Sequence, residues 1–121
     1  MNKKILMVED SPSIRQMMSF ALRGAGYDVI EAYNGCEALA KFEQEAIDMV
    51  VTDLNMPKMD GLTLTKTLRS DSQNRFMPII MLTSVGDETI RQEVRSAGAS
   101  AWISKPFKPA QLLNVVKMVL A

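Results

Sequence analysis

Five short apolar runs, separated by longer stretches of helical periodicity, constrain the fold of this chain more than any other feature. The runs predict strands at about 4–8, 27–32, 48–52, 77–82 and 101–103. In the stretches between them, apolar residues recur three and four positions apart, which is the spacing of an amphipathic helix. Alternating strands and helices predict an α/β domain with a parallel sheet.

Helix boundaries are predicted from capping residues, prolines and glycines. The first two predicted helices begin at Ser11-Pro12 and at Asn34. The other three extend from Asp60-Gly61 to about Ser72, from about Asp87 to Ala97, and from Pro109 to the chain end. The apolar spacing places Met17 and Met18 in the core, and Cys36 is predicted to be a buried or half-buried thiol. On the last helix, Leu112, Leu113, Val116 and Leu120 are predicted to face inward.

Composition excludes several classes of protein. The 121 residues suit one domain, and 14 basic residues balance 14 acidic ones, so no nucleic-acid or membrane-surface partner is expected. No apolar stretch is long enough for a membrane helix, and no signal peptide is recognisable. These features predict a cytoplasmic protein. Histidine is absent, so any phosphohistidine chemistry must come from a partner.

Polar residues follow four of the predicted strands. Glu9-Asp10, Asp53, Thr83 and Lys105 each lie at or just beyond the end of an apolar run. The carboxyl ends of parallel strands share one edge of the sheet, where ligands of such folds bind. Three carboxylates at one edge need a cation, and the hydroxyl and ammonium beside them suit a phosphoryl group.

The motifs around these positions resemble the receiver domains of two-component response regulators, most of all the single-domain chemotaxis type. The matching segments, which span the whole chain, are Val8-Glu9-Asp10-Ser11, residues 50–61 with Met-Pro-Lys-Met-Asp-Gly, Leu82-Thr83-Ser84, Gly98-Ala99 and Lys105-Pro106-Phe107. The resemblance implies a flavodoxin-like (CheY-like), doubly wound five-stranded parallel sheet of order 2-1-3-4-5 with five helices. Residues 1–121 are then expected to form a single receiver domain with no output domain.

The resemblance also implies a role for each site residue. Asp53 would be the phosphoacceptor and would bind Mg²⁺, or Mn²⁺ as a substitute. The other metal-site residues would be Asp10, the backbone carbonyl of Asn55, and Glu9 acting through a water. Thr83 and Lys105 would hold phosphoryl oxygens, and the Lys105–Pro106 peptide bond is predicted to be cis.

Signal output is implied to run from Thr83 to Trp102 and on to the face of helix four, strand five and helix five. Val115, Met118 and Val119 are predicted to form a partner patch on helix five, because this helix is more apolar than one buried stripe requires. The expected partners are a CheA-like histidine kinase, a downstream protein such as the flagellar motor switch, and a phosphatase. The domain itself is expected to be a monomer.

Four other functions share parts of this pattern. A phosphorelay intermediate, or the receiver fragment of a longer regulator, would have the same site. A phosphatase of the haloacid dehalogenase (HAD) type would need an acid two residues after its nucleophile, where this chain has Asn55. A flavin carrier would need a phosphate-binding loop after strand one, where Glu9-Asp10 would repel phosphate. Turnover of an independent substrate is therefore not expected.

Overall fold

A five-stranded parallel sheet with helices on both faces forms the fold. The computed structural model describes residues 2–84 and 88–120. The strands are β1 (Lys4–Val8), β2 (Asp28–Ala32), β3 (Met49–Asp53), β4 (Ile79–Thr83) and β5 (Ala101–Ser104). The helices are α1 (Pro12–Gly24), α2 (Gly35–Gln44), α3 (Gly61–Arg69), α4 (Glu88–Ala97) and α5 (Pro109–Leu120). The strand order is β2-β1-β3-β4-β5, which confirms the flavodoxin-like, CheY-like topology.

Both faces of the sheet are buried, which explains why its strands are apolar throughout rather than alternating. On one face, Ile5 and Met7 pack with residues of α1 and α5. On the other face, Leu6 and Val8 pack with residues of α2 and α3. A smaller cluster under α4 joins Leu54, Met81 and Val94, and Trp102 packs against it.

Side-chain caps start the helices where the sequence predicts. Ser11, Asn34 and Asp60 each accept a hydrogen bond from a backbone N–H three residues ahead. Such caps satisfy N–H groups that have no partner inside the helix. The starts of α1, α2 and α3 are therefore fixed by local hydrogen bonds.

Several predicted boundaries are wrong by a few residues. Helix α3 ends at Arg69 rather than near Ser72, because Asp71 caps a separate short 3₁₀ turn at Ser72–Asn74. Strand β2 begins at Asp28 and β4 at Ile79, each later than predicted. Strands β3 and β4 extend through Asp53 and Thr83, so both residues belong to strands. The predicted α4 start at Asp87 lies outside the described residues.

Two burial predictions need correction. Met18 is fully buried, but Met17 is 39% exposed. Successive residues of a helix are about 100° apart, so Met17 lies at the edge of the stripe of α1 that faces the sheet. Cys36 is exposed, since α2 turns Ala38 rather than Cys36 toward the sheet.

The three residues of the predicted patch on α5 differ in exposure. Val115 and Val119 are half-buried and pack against the core cluster, whereas Met118 is 77% exposed. The broad apolar face of α5 is therefore mostly a wide buried stripe. Within residues 2–84 and 88–120, no helix has the length and apolar character needed to cross a bilayer.

Candidate active site

The site lies where β1, β3, β4 and β5 end at the carboxyl edge of the sheet. Asp53 is the last residue of β3 and pairs with Leu82, one residue before the end of β4. The carboxylate oxygens of Glu9, Asp10 and Asp53 lie within 4.8 Å of one another. Glu9 and Asp53 are buried, and Asp10 is exposed. Strand register thus brings together acids that are more than 40 residues apart in the chain.

Lys105 supplies the positive charge in this cluster. Its Nζ lies 3.1 Å from Glu9 Oε1 and 3.1 Å from Asp53 Oδ1. The Lys105 backbone N–H donates to the Thr83 carbonyl oxygen at 2.8 Å, so the ends of β4 and β5 are joined. The peptide bond from Lys105 to Pro106 is cis, as predicted. One ammonium facing three carboxylates leaves the site with excess negative charge, which suits a hard divalent cation.

Burial and charge crowding raise the pKa of Glu9 to about 7. Burial is the largest cause, and the Asp53 charge adds to it, whereas the hydrogen bond from the Ser11 N–H opposes it. For Lys105, burial lowers the pKa, but hydrogen bonds to Glu9 and Asp53 outweigh burial and raise it above the ordinary value. The metal-free site therefore holds a proton on Glu9 far more readily than a free glutamate does.

We expect Glu9→Gln to stabilise the metal-free domain at pH 8. The Glu9 pKa is about 7 in the folded chain against an ordinary value of 4.5. The folded state therefore holds this proton more tightly, and its stability falls as pH rises from about 4.5 to 7, by about 3 kcal/mol. Urea unfolding in a chelator at pH 5 and pH 8 measures this fall. An equal fall in Glu9→Gln would contradict the assignment to Glu9.

The remaining predicted site residues lie beside the acids. Thr83 is 1% exposed at the end of β4. Asn55 is exposed, two residues after Asp53, in the loop before α3. Trp102 is half-buried on β5, on the α4 side of the sheet. Thr83 and Asn55 thus lie at the carboxyl edge of the sheet with the acids, and Trp102 lies within β5.

Sequence reasoning missed two features of the site. The Arg15 guanidinium donates to the Glu9 carbonyl oxygen at 2.8 Å and pairs with Glu31 at 3.3 Å, which ties α1 to the loop that carries the acids. An apolar cleft of about 350 Å³ opens beside Lys105, lined by Ile14, Met17, Ser84, Lys105, Pro106 and Phe107. The exposed position of Met17 could have indicated the cleft, but only once the packing of α1 was known.

Known proteins resemble this chain along its whole length. The family model described as "Response regulator receiver domain" matches residues 5–117. The solved chemotaxis response regulator CheY4 of Vibrio cholerae is 44% identical, with a TM-score of 0.94, and the match covers 98% of this chain and 99% of that one. The transcriptional regulatory protein PhoP of Bacillus subtilis is 42% identical over 99% of this chain but only 49% of its own length. The chain thus spans about half the length of the curated transcriptional regulators that it matches.

A third similar protein has a bound metal ion. The receiver domain of the sensor histidine kinase PA1611 from Pseudomonas aeruginosa has a magnesium ion coordinated in its active-site cleft. It is 30% identical, has a TM-score of 0.89, and matches all of both chains. The motifs, the fold and these matches agree: the chain is a CheY-like member of the response regulator receiver domain family of two-component systems.

Proposed function

We propose that the domain is a phosphorylation-activated switch whose Asp53 accepts a phosphoryl group from a phosphohistidine of a partner histidine kinase. The observation that carries this proposal is the meeting of three carboxylates with the Lys105 ammonium at one edge of the sheet. Residues 1–121 contain no histidine, so a phosphohistidine donor would lie outside this domain. The apolar cleft beside Lys105 gives such a protein a contact surface next to the acceptor.

Mg²⁺ is the cofactor that this site suits. The carboxylates of Asp10 and Asp53 and the backbone carbonyl of Asn55 would hold it, with Glu9 acting through a water. Oxygen donors and excess negative charge match the preference of this ion, and the magnesium in the PA1611 receiver domain supports the same choice. Mn²⁺ shares these preferences and is expected to substitute. When bound, the metal supplies positive charge beside the phosphoryl oxygens.

The transfer forms a bond between an Asp53 carboxylate oxygen and phosphorus while the phosphorus–nitrogen bond to the donor histidine breaks. The transition state is loose and spreads negative charge over the phosphoryl oxygens, so positioning and electrostatics dominate catalysis. The Lys105 Nζ, which lies 3.1 Å from Asp53 Oδ1, neutralises part of that charge. The Thr83 hydroxyl donates a hydrogen bond to a phosphoryl oxygen. Attack of water on phosphorus later breaks the bond to the Asp53 oxygen, releases inorganic phosphate and restores the Asp53 carboxylate. Receiver domains are signalling switches rather than classical enzymes, and no independent substrate is expected here.

The signal leaves the site through Thr83 and Trp102. Thr83 moves toward the phosphoryl group, and Trp102 then rotates toward the space that Thr83 leaves. Moving a switch from 1:99 to 99:1 requires ~5.5 kcal/mol of differential interaction. Two or three charge-assisted hydrogen bonds at ~1.5–3 kcal/mol each reach this scale. The half-buried position of Trp102, between the core and solvent, is consistent with a ring that has two positions.

The output face comprises α4, β5 and α5, and β5 is an edge strand of the sheet. Met118 is the residue of the predicted helix-five patch that solvent reaches most, at 77% exposure. Val115 and Val119 border it while packing on the core. Alanine at these two valines would therefore disturb stability together with binding, so Met118 is the better position at which to probe the patch.

We expect intrinsic fluorescence to report the switch, because Trp102 is the only tryptophan. Adding Mg²⁺ and then beryllofluoride, a phosphoryl mimic, should change the emission of the wild-type domain. Asp53→Asn should remove the beryllofluoride-dependent part, since the mimic binds through the Asp53 carboxylate. An identical beryllofluoride response in Asp53→Asn would contradict the assignment of Asp53.

Three signalling pathways would use this site. The near-complete match to CheY4 favours a chemotaxis role, with a CheA-like kinase, a flagellar motor target and a dedicated phosphatase. The half-length match to PhoP favours a second candidate, the receiver part of a longer regulator. A phosphorelay intermediate would use the same site. In each case we propose a monomeric, cytoplasmic domain that binds neither nucleic acid nor membrane through residues 1–121. Phosphotransfer rates measured against candidate histidine kinases would separate these pathways.

A further inference from the structure

Two arginines of α4 contact the ring of Trp102. The guanidinium carbons of Arg91 and Arg95 lie 5.9 and 5.7 Å from the ring centre. The two residues are four positions apart, so they share one face of the helix. Both distances fall within the ~6 Å range of a cation–π interaction. The switch residue is therefore held in this structure by two positive charges.

Neither guanidinium is neutralised by a carboxylate within residues 2–84 and 88–120. The contrast with α1 is clear, because Arg15 and Arg23 both pair with Glu31. In addition, Arg91 Nε is buried and has no hydrogen-bond partner among the described residues. Buried donors normally have an acceptor, so this Nε–H is a donor that the carboxylate of a bound segment would satisfy.

We propose that Arg91 and Arg95 bind an acidic peptide segment of the target protein, and that the Trp102 ring competes with that segment for the same guanidiniums. Arginine binds carboxylates through paired, charge-assisted hydrogen bonds, which are stronger than its contact with an aromatic ring. When Trp102 rotates toward the core, both guanidiniums become free for carboxylates. The inference rests on the proposed function, because it takes the α4–β5–α5 face as the target surface.

A labelled hexaglutamate peptide tests this site by fluorescence anisotropy. Mg²⁺ with beryllofluoride should tighten its binding to the wild-type domain about tenfold, because activation frees two charge-assisted contacts. Arg91→Gln and Arg95→Gln should each lose most of that gain. Arg75→Gln is the matched control, since Arg75 also stacks on an aromatic ring, that of Phe76 at 5.9 Å, but follows the 3₁₀ turn and lies outside α4, β5 and α5.

Trp102→Leu tests the competition itself. This variant should bind hexaglutamate without beryllofluoride about as tightly as the activated wild-type domain does. Trp102→Phe, whose smaller ring competes less, should give an intermediate affinity and serves if the leucine variant does not fold. Unchanged affinity in a folded variant of either kind would overturn the competition.

Two further outcomes separate this inference from the proposed function. A beryllofluoride response of the Trp102 fluorescence with no gain in hexaglutamate affinity would overturn the acidic-segment site alone. Tighter binding of a hexathymidylate oligonucleotide than of hexaglutamate would also overturn it, in favour of a phosphate-backbone partner. Absence of any beryllofluoride response would overturn the proposed function, and this inference with it.

Discussion

Asp53→Asn is expected to abolish phosphoryl incorporation from a small acyl phosphate donor. The amide cannot act as the nucleophile that the carboxylate provides at the end of β3. Asparagine has nearly the same volume and can still accept a hydrogen bond from Lys105, which lies 3.1 Å from the Asp53 carboxylate. The fold should therefore survive. Incorporation of radiolabelled phosphate with Mg²⁺ should fall at least about a hundredfold, to the background of chelator-treated protein.

Asp71→Asn is the matched control for this experiment. Asp71 caps the 3₁₀ turn by accepting from the Gln73 N–H, a role that asparagine fills equally well, and it is exposed. This variant should incorporate phosphate as the wild-type domain does. Substantial labelling of Asp53→Asn would move the acceptor to another residue of the cluster, such as Glu9 or Asp10.

Gly61→Ala is expected to be the most destabilising single-methyl substitution in the site region. A Cβ at Gly61 would overlap the Asp53 carbonyl oxygen and approach Met81 Sδ to 2.8 Å. The Asp53 carbonyl is backbone inside β3, so it can move only if the strand moves. Overpacking of this kind costs about 3 kcal/mol at its upper range. Urea unfolding should show this loss, and phosphate incorporation should fall because Asp53 is displaced.

Gly24→Ala offers the opposite expectation in the same chain. Gly24 is the last residue of α1, and a Cβ there meets nothing within 4 Å. Alanine should therefore stabilise the domain, by up to about 1 kcal/mol from helix propensity. If Gly61→Ala were as stable as Gly24→Ala, the close packing of α3 on the end of β3 would be contradicted.

Local sequence signals predicted the starts of α1, α2 and α3 well because each of these helices has its own capping residue. Ser11, Asn34 and Asp60 cap their helices without help from distant residues. The strand order is different in kind. Periodicity predicts five strands but not their neighbours, and the order 2-1-3-4-5 was available only through the family resemblance.

The site was predictable because parallel strands place their carboxyl ends at one edge. Lys105 and Glu9 meet although 96 positions separate them in the chain. Details that depend on how each helix is rotated were not predictable. Met17 and Cys36 lie just outside the faces of their helices that pack on the sheet. The spacing of apolar residues in the sequence does not define where such a face ends. The Arg91 and Arg95 contacts with Trp102 likewise depend on the rotation of α4 over β5.

The raised pKa of Glu9 shows what structure adds to a correct prediction. Three neighbouring acids repel one another, and such repulsion raises the pKa of at least one of them. In the folded chain, burial contributes more than the charge of Asp53 does. The site is therefore strained by the removal of water as well as by like charge, and a divalent cation relieves both.

Peptide mapping by mass spectrometry tests the central claim most directly. The wild-type domain is treated with a small acyl phosphate donor in Mg²⁺, digested under conditions that preserve acyl phosphates, and mapped. The account predicts one added phosphoryl group, on Asp53, that is absent when a chelator replaces the metal. A phosphoryl group on Glu9, Asp10 or the Thr83 hydroxyl, or none at all in the presence of Mg²⁺, would contradict it.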